Sequence, residues 1–147
     1  MQKIKTLYDR DYSLWLSQTI SHLRAGRFGD LDLDNLLEEL EALGRSERQQ
    51  LRNRLNTLLE HLLRRLYVDL PNDFNGWERT IREQRKQLIW LLEDSPSLKS
   101  IWDETFNTAW RFALKDVCKD HAQCQFPDPW PFSRDIDELL NRDFWEQ

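Results

Sequence analysis

Leu33, Leu36, Leu37, Leu40, Leu43, Leu51, Leu55, Leu58, Leu59, Leu62, Leu63 and Leu66 recur at intervals of three and four. That spacing returns to one face of a helix of 3.6 residues per turn. Stepping through Leu40, Leu43, Glu47, Leu51, Leu55, Leu58 and Leu62 keeps the phase straight across Gly44. The pattern predicts one long helix from about Leu33 to Asp69, with Gly44 as the place for a bend, since an interior glycine costs only about 1 kcal/mol. Ser46 followed by Gln49 offers a competing helix start, because that spacing makes a capping box.

Four further helices and a non-helical segment accompany this one. Asp9 or Asp11 can cap a first helix with Tyr12, Trp15, Leu16, Ile20 and Leu23 on one face, stopped by Gly26. Asp32 or Asp34 can cap the long helix. Leu70, Pro71, Asn72, Asp73 and Asn75–Gly76 read as a break. A helix then runs from about Trp77 to Glu93, with Trp77, Ile81, Leu88, Leu91 and Leu92 inside and Arg79, Arg82, Arg85 and Lys86 mostly outside. Ser95–Pro96 predicts a cap followed by proline at the first helical position. That helix reaches about His121, burying Leu98, Ile101, Trp102, Phe106, Ala109, Ala113 and Val117. From Phe126 to Phe132 three prolines exclude a helix, so the segment reads as an extended strap whose aromatics lie on the bundle. Ser133 and the acidic turn Asp135, Asp137 and Glu138 open a short last helix to about Asn141, and Phe144 and Trp145 fold the tail back. No strand pattern or repeat is present, and the fold class expected is all-α: a helical bundle around one long central helix, in a single domain over residues 1–147.

Composition agrees with this reading. Four Gly and five Pro in 147 residues are few, and a chain of that length supports one buried core. No run of about 18 apolar residues spans a membrane, and the first ten residues carry mixed charge rather than a leader pattern. Two cysteines, Cys118 and Cys124, fit a reducing compartment, so a cytoplasmic protein is expected. The net charge of −5 is unevenly spread: Met1 to Gly44 sums to −3, Arg45 to Lys86 to +4, and Gln87 to Gln147 to −6. A basic middle between acidic ends favours pairing between helices over nucleic-acid binding.

Glycine-rich phosphate loops, Gly-x-Ser-x-Gly elbows and His-Glu-x-x-His pairs are absent, which removes the common nucleotide and hydrolase signatures. Glu38, Glu39, Glu41 and Glu47, with His61 further along the same helix, are the candidate divalent-metal ligands, with Mg²⁺ or Mn²⁺ the fitting cation. A second acidic pair, as helical pyrophosphatases use, is not evident, so a solvated acidic face is the plainer account and no cofactor is expected. Cys118, His121 and Cys124 lack a fourth ligand for a zinc tetrahedron. Arg45, Arg48, Arg52, Arg79, Arg82 and Arg85 are the candidate anion-binding residues, with Trp77 and Trp90 near enough in sequence to stack on bases. The same arginines equally suit pairing with acidic helices. His22 and His61 sit beside leucines, a setting for hydrogen-bonding residues more than for catalytic bases. Trp15, Trp77 and Trp102 fall in phase with the apolar stripes and are expected in the core.

Several stretches carry a family resemblance: Leu7 to Leu16, Leu31 to Glu41, Leu43 to Glu47, Leu58 to Leu63, Trp77 to Arg85 and Ser95 to Lys99. In that order they make the chain similar to domain-of-unknown-function family 29, small and mostly cyanobacterial proteins. The resemblance implies an all-helical fold and a bacterial cytoplasmic setting, without an activity. It marks Trp15, Glu38, Glu39, Gly44, Glu47, His61, Trp77 and Arg82 as family positions, and Cys118, His121 and Cys124 fall outside it. Rich in amphipathic surface and poor in convergent catalytic groups, the chain is expected to be a protein-interaction or self-association module. A homodimer packing its leucine-rich long helices is the concrete version. A metal-dependent enzyme acting on a nucleotide or phosphate ester is the rival, and binding of nucleic acid or another polyanion through the basic middle is a third reading.

Overall fold

The computed structural model describes residues 6–146, and among them all regular structure is helical. The chain divides into two compact units, Met1–Ser46 and Glu47–Gln147. The longest element, α3 (Leu33–Tyr67), is continuous through Gly44 and contributes to both.

In the first unit Thr6 caps a single turn, α1 (Leu7–Arg10), through a capping box with Asp9. Asp11 then accepts the Leu14 N–H at 3.0 Å and opens α2 (Tyr12–Arg24). Gly26 ends this helix at φ 71°, a left-handed conformation that glycine adopts without a Cβ penalty. A 3-10 turn over Phe28–Asp30 follows, and Asp32 accepts from both the backbone and the side chain of Asn35 to start α3. Of the first helix's expected face, only Trp15 is buried.

In the second unit the α3 leucines change role. Leu51, Leu55, Leu58, Leu59, Leu62 and Leu63 are fully buried against Ile81 and Leu88 of α4 (Pro71–Asp94) and Phe106, Ala109, Ala113 and Val117 of α5 (Trp102–Asp120). Full burial of each such side chain stabilises the fold by about 2 kcal/mol. Two helix starts differ from expectation. α4 begins at Pro71, six residues before the expected Trp77, because proline at the first helical position needs no hydrogen-bond partner. Asn75–Gly76 therefore lies inside a helix, held there by contacts on either side: the Arg65 guanidinium stacks over Phe74 at 3.9 Å, and Phe74 packs on Trp77. Pro96 opens a 3-10 helix (Pro96–Ile101), with α5 starting only at Trp102. Ser95 caps neither, because its hydroxyl donates to Glu47.

The strap is non-helical as expected, with bends at Asp128, Pro129 and Phe132 and a cis bond at Asp128–Pro129. Its Trp130 is buried, with ring centroids 5.6 Å from Trp110, 5.3 Å from Phe132 and 5.5 Å from Phe144. The last helix, α6 (Ile136–Asn141), buries Leu139 and Leu140. Arg85 corrects the sequence reading, which placed it outside. It is a buried α4 residue, four after Ile81 and three before Leu88, and thus in phase with the inner face. Trp77 is a second correction: it is half-buried and meets His121 edge-on, whereas Trp102 is buried with its indole N–H donating to the Arg134 carbonyl. No described helix is long and apolar enough to cross a membrane.

Candidate functional site

The first unit has an amphipathic face without a core behind it. Among its described residues only Trp15 and Thr19 are buried. Along α3, Leu33, Leu37, Leu40 and Leu43 are 63%, 57%, 57% and 63% exposed. On α2, Leu16, Ile20 and Leu23 are exposed as well, and Phe28 stands out from the turn between the helices. Periodicity aligns Leu33 to Leu43 with the residues buried from Leu51 onward, so one helix carries a single stripe that is covered in the second unit and open in the first. Isolated exposed leucines are ordinary on protein surfaces, whereas these four form a run at helical spacing.

Acids border this stripe. Asp34, Glu38 and Glu41 recur at spacings of four and three on one side. Glu38 and Glu41 share Arg45, each at 3.9 Å and half-exposed, so these are weak screened pairs. Glu39 faces the other way and ties α3 to the N-terminal helices: Tyr8 and Tyr12 both donate their hydroxyls to its carboxylate. Those two hydrogen bonds hold the Glu39 carboxyl below its usual range, and the same carboxylate pushes the Tyr8 phenol up to about 12.

A small cavity of about 160 Å³ in this unit is lined by Trp15, Thr19, His22, Asp30 and Asp32 among others. The buried Trp15 indole N–H has no hydrogen-bond partner among the described residues. His22 accepts a long hydrogen bond from Arg27 at 3.4 Å.

The expected metal ligands are distributed as follows. Glu38, Glu39 and Glu41 lie in the first unit, with the arginine and tyrosine partners just described. Glu47 and His61 lie in the second, Glu47 accepting from Ser95 and the His61 ring bonding the Thr57 carbonyl at 2.8 Å. Burial pulls the His61 pKa down. Among the described residues no group of three or more His, Cys, Asp or Glu side chains is arranged to hold a metal ion. Cys118 is exposed on α5, and His121 and Cys124 lie beyond its end.

The arginines of the series occupy different settings. Arg45 is engaged with glutamates; Arg48, Arg79 and Arg82 are exposed; and Arg52 borders a cleft of about 370 Å³ with Asn53, Asn56, Thr108, Phe112 and Asp116. Arg85 is committed inward, donating to the carbonyls of Leu139 and Arg142 and to Asp143. A cluster that sequence reasoning missed lies beside that cleft: Glu60 is held by Asn56 at 3.2 Å and Arg64 at 3.9 Å. Burial, reinforced by Asp116, raises the Glu60 pKa. The only sequence signal for it was a glutamate placed next to the leucine stripe.

The sequence pattern of the family described as domain of unknown function DUF29 matches residues 7–145, nearly the whole chain. The chain belongs to this family. No curated protein and no solved structure gives a match. The match spans both units, so the open helix face lies within the family's extent and not in an appendage to it.

Proposed function

We propose that this DUF29 chain is a protein-interaction module whose binding surface is the open face of the first unit. The observation that carries the reading is the exposure of Leu33, Leu37, Leu40 and Leu43 on the helix whose later leucines are fully buried. A helix stripe wide enough to make a core is stable in water when something covers it, and grooves that receive helices use anchors at positions i, i+4 and i+7, which Leu33, Leu37 and Leu40 match.

A photoactivatable residue placed at Leu40, in the full chain expressed in its source cells, tests this. A discrete adduct is expected, and it should vanish when Leu37→Glu is added while the helical signal is unchanged. The same label at exposed Gln50 serves as control. Equal adduct yields at the two positions, or none at Leu40, would overturn the reading.

A further inference from the structure

The occupant of this face can be narrowed by charge. Between Thr6 and Ser46 there are eight acidic residues against four basic ones. Three of the acids, Asp34, Glu38 and Glu41, run along one border of the exposed leucines, and Asp32 stands at the head of the helix. Among the described residues only Arg45 pairs with the bordering acids, at 3.9 Å from each of Glu38 and Glu41. The same border turns basic at Arg45, which is followed in sequence by Arg48 and Arg52, so the acidic section is confined to the stretch over which the leucines are open.

We infer that the face receives a basic amphipathic helix from a different protein. Its apolar side lies on Leu33, Leu37, Leu40 and Leu43, and its lysines or arginines lie opposite Asp34, Glu38 and Glu41. This inference rests on the interaction-module reading and adds the partner's chemistry. From Leu33 to Leu43 the stripe is about 16 Å long, so the partner helix needs about three turns. Opposite charges at the rim steer encounter and fix register, whereas like charges brought together penalise the wrong partner. A second copy docking antiparallel through this stripe brings the same acids to the same border, and an anionic membrane surface meets the same repulsion. Both are therefore disfavoured as occupants.

The full chain is titrated against two labelled synthetic helices of about 14 residues that differ only in their polar face, one Leu/Lys and one Leu/Glu, with anisotropy as the readout. Sedimentation of the chain alone runs in parallel. The Leu/Lys helix is expected to bind at least about tenfold more tightly than the Leu/Glu helix. Its affinity should fall severalfold between about 0.05 and 0.5 M salt, as screening at the rim requires. Leu37→Glu with Leu40→Glu should abolish binding, and Glu38→Lys with Glu41→Lys should reverse the preference between the peptides; both pairs are surface changes that leave the fold testable by circular dichroism. Equal binding of the two peptides overturns the charge assignment and leaves an interaction face of another chemistry. A salt-insensitive dimer of the chain, broken by the leucine substitutions, overturns it in favour of a second copy. Binding of neither peptide, while the photo-crosslink at Leu40 persists, overturns the basic-helix partner and spares the module.

Discussion

Arg85 Nε donates to the Leu139 carbonyl oxygen at 3.0 Å, and the rest of the guanidinium holds the Arg142 carbonyl and the Asp143 carboxylate. One buried α4 side chain thus fastens α6 and the tail beyond it, using the planar fork that lysine lacks. Hydrogen bonds from a charged donor are stronger than neutral ones, and the carbonyls left behind by Arg85→Met have no other partner described. That substitution should destabilise the protein by about 3 kcal/mol. Urea unfolding gives the magnitude, and faster tryptic cleavage after Arg142 in the variant locates the loss at the tail. Arg85→Lys should recover less than half; full recovery would mean that charge alone, and not the fork, holds the segment.

The Tyr8–Glu39–Tyr12 arrangement makes the first unit sensitive to acid. Glu39 has a lowered folded-state pKa, so its contribution is present above the ordinary value of 4.5 and is lost as pH falls through the lowered one. Tyr8 works in the opposite direction: raised, its contribution is present below 10 and fades as pH climbs toward about 12. An NMR titration of the Glu39 side chain should show a midpoint below 4.5, moving up toward that value in Tyr8→Phe with Tyr12→Phe. An unchanged midpoint in the double variant would show that the phenols are not the cause.

Glu60 carries the reverse sign. Burial raises its pKa, so its fold prefers the protonated form; the benefit is present below 4.5 and is lost as pH rises through the raised folded value. At neutral pH the carboxylate is held at a cost that Arg64 only partly offsets. Glu60→Gln keeps an oxygen for Asn56 and leaves Arg64 its Asp120 partner at 3.1 Å. The variant should be more stable than the parent by about 0.5 kcal/mol at pH 7, with the gap closing toward pH 4 in paired urea titrations. A loss of stability at pH 7 would show that the Arg64 pair outweighs the burial.

Trp130 is the hub of the aromatic strap, within 6.5 Å centroid distance of Phe106, Trp110, Phe132 and Phe144. Trp130→Ala should cost about 3–5 kcal/mol and strip much of the near-ultraviolet dichroism, because four rings lose their common neighbour. Trp130→Phe should retain most of both. If the alanine variant melts with the parent, the strap is not part of the cooperative core.

The leucine phase made α3 legible across Gly44, because a period of 3.6 sustained over so many residues outweighs one glycine. The start of α4 was not legible: Asn75–Gly76 is a turn signal, and the Arg65–Phe74 stacking that overrides it joins residues on different helices. Arg85 stood in register with Ile81, Leu88 and Leu92, but a charge at an apolar phase reads as outward until its partners near Asp143 are known. For the candidate site, the sequence showed Leu33 to Leu43 as a stripe and not its exposure, since periodicity reports which side chains share a face and not whether a neighbour covers them. Glu38, Glu39, Glu41, Glu47 and His61 were legible as neighbours along a helix; their separate partners, from Tyr8 to Ser95, were not.

A helix with Leu33, Leu37, Leu40 and Leu43 bare and Leu51, Leu55, Leu58, Leu59, Leu62 and Leu63 sealed holds two stabilities in one hydrogen-bonded ladder. Amide hydrogens before Glu47 exchange with solvent whenever their own turn opens, whereas those beyond Leu51 wait for the core to come apart. Protection along α3 therefore rises in a step within about two turns of Glu47, and a ligand seated on the open leucines moves that step toward Leu33.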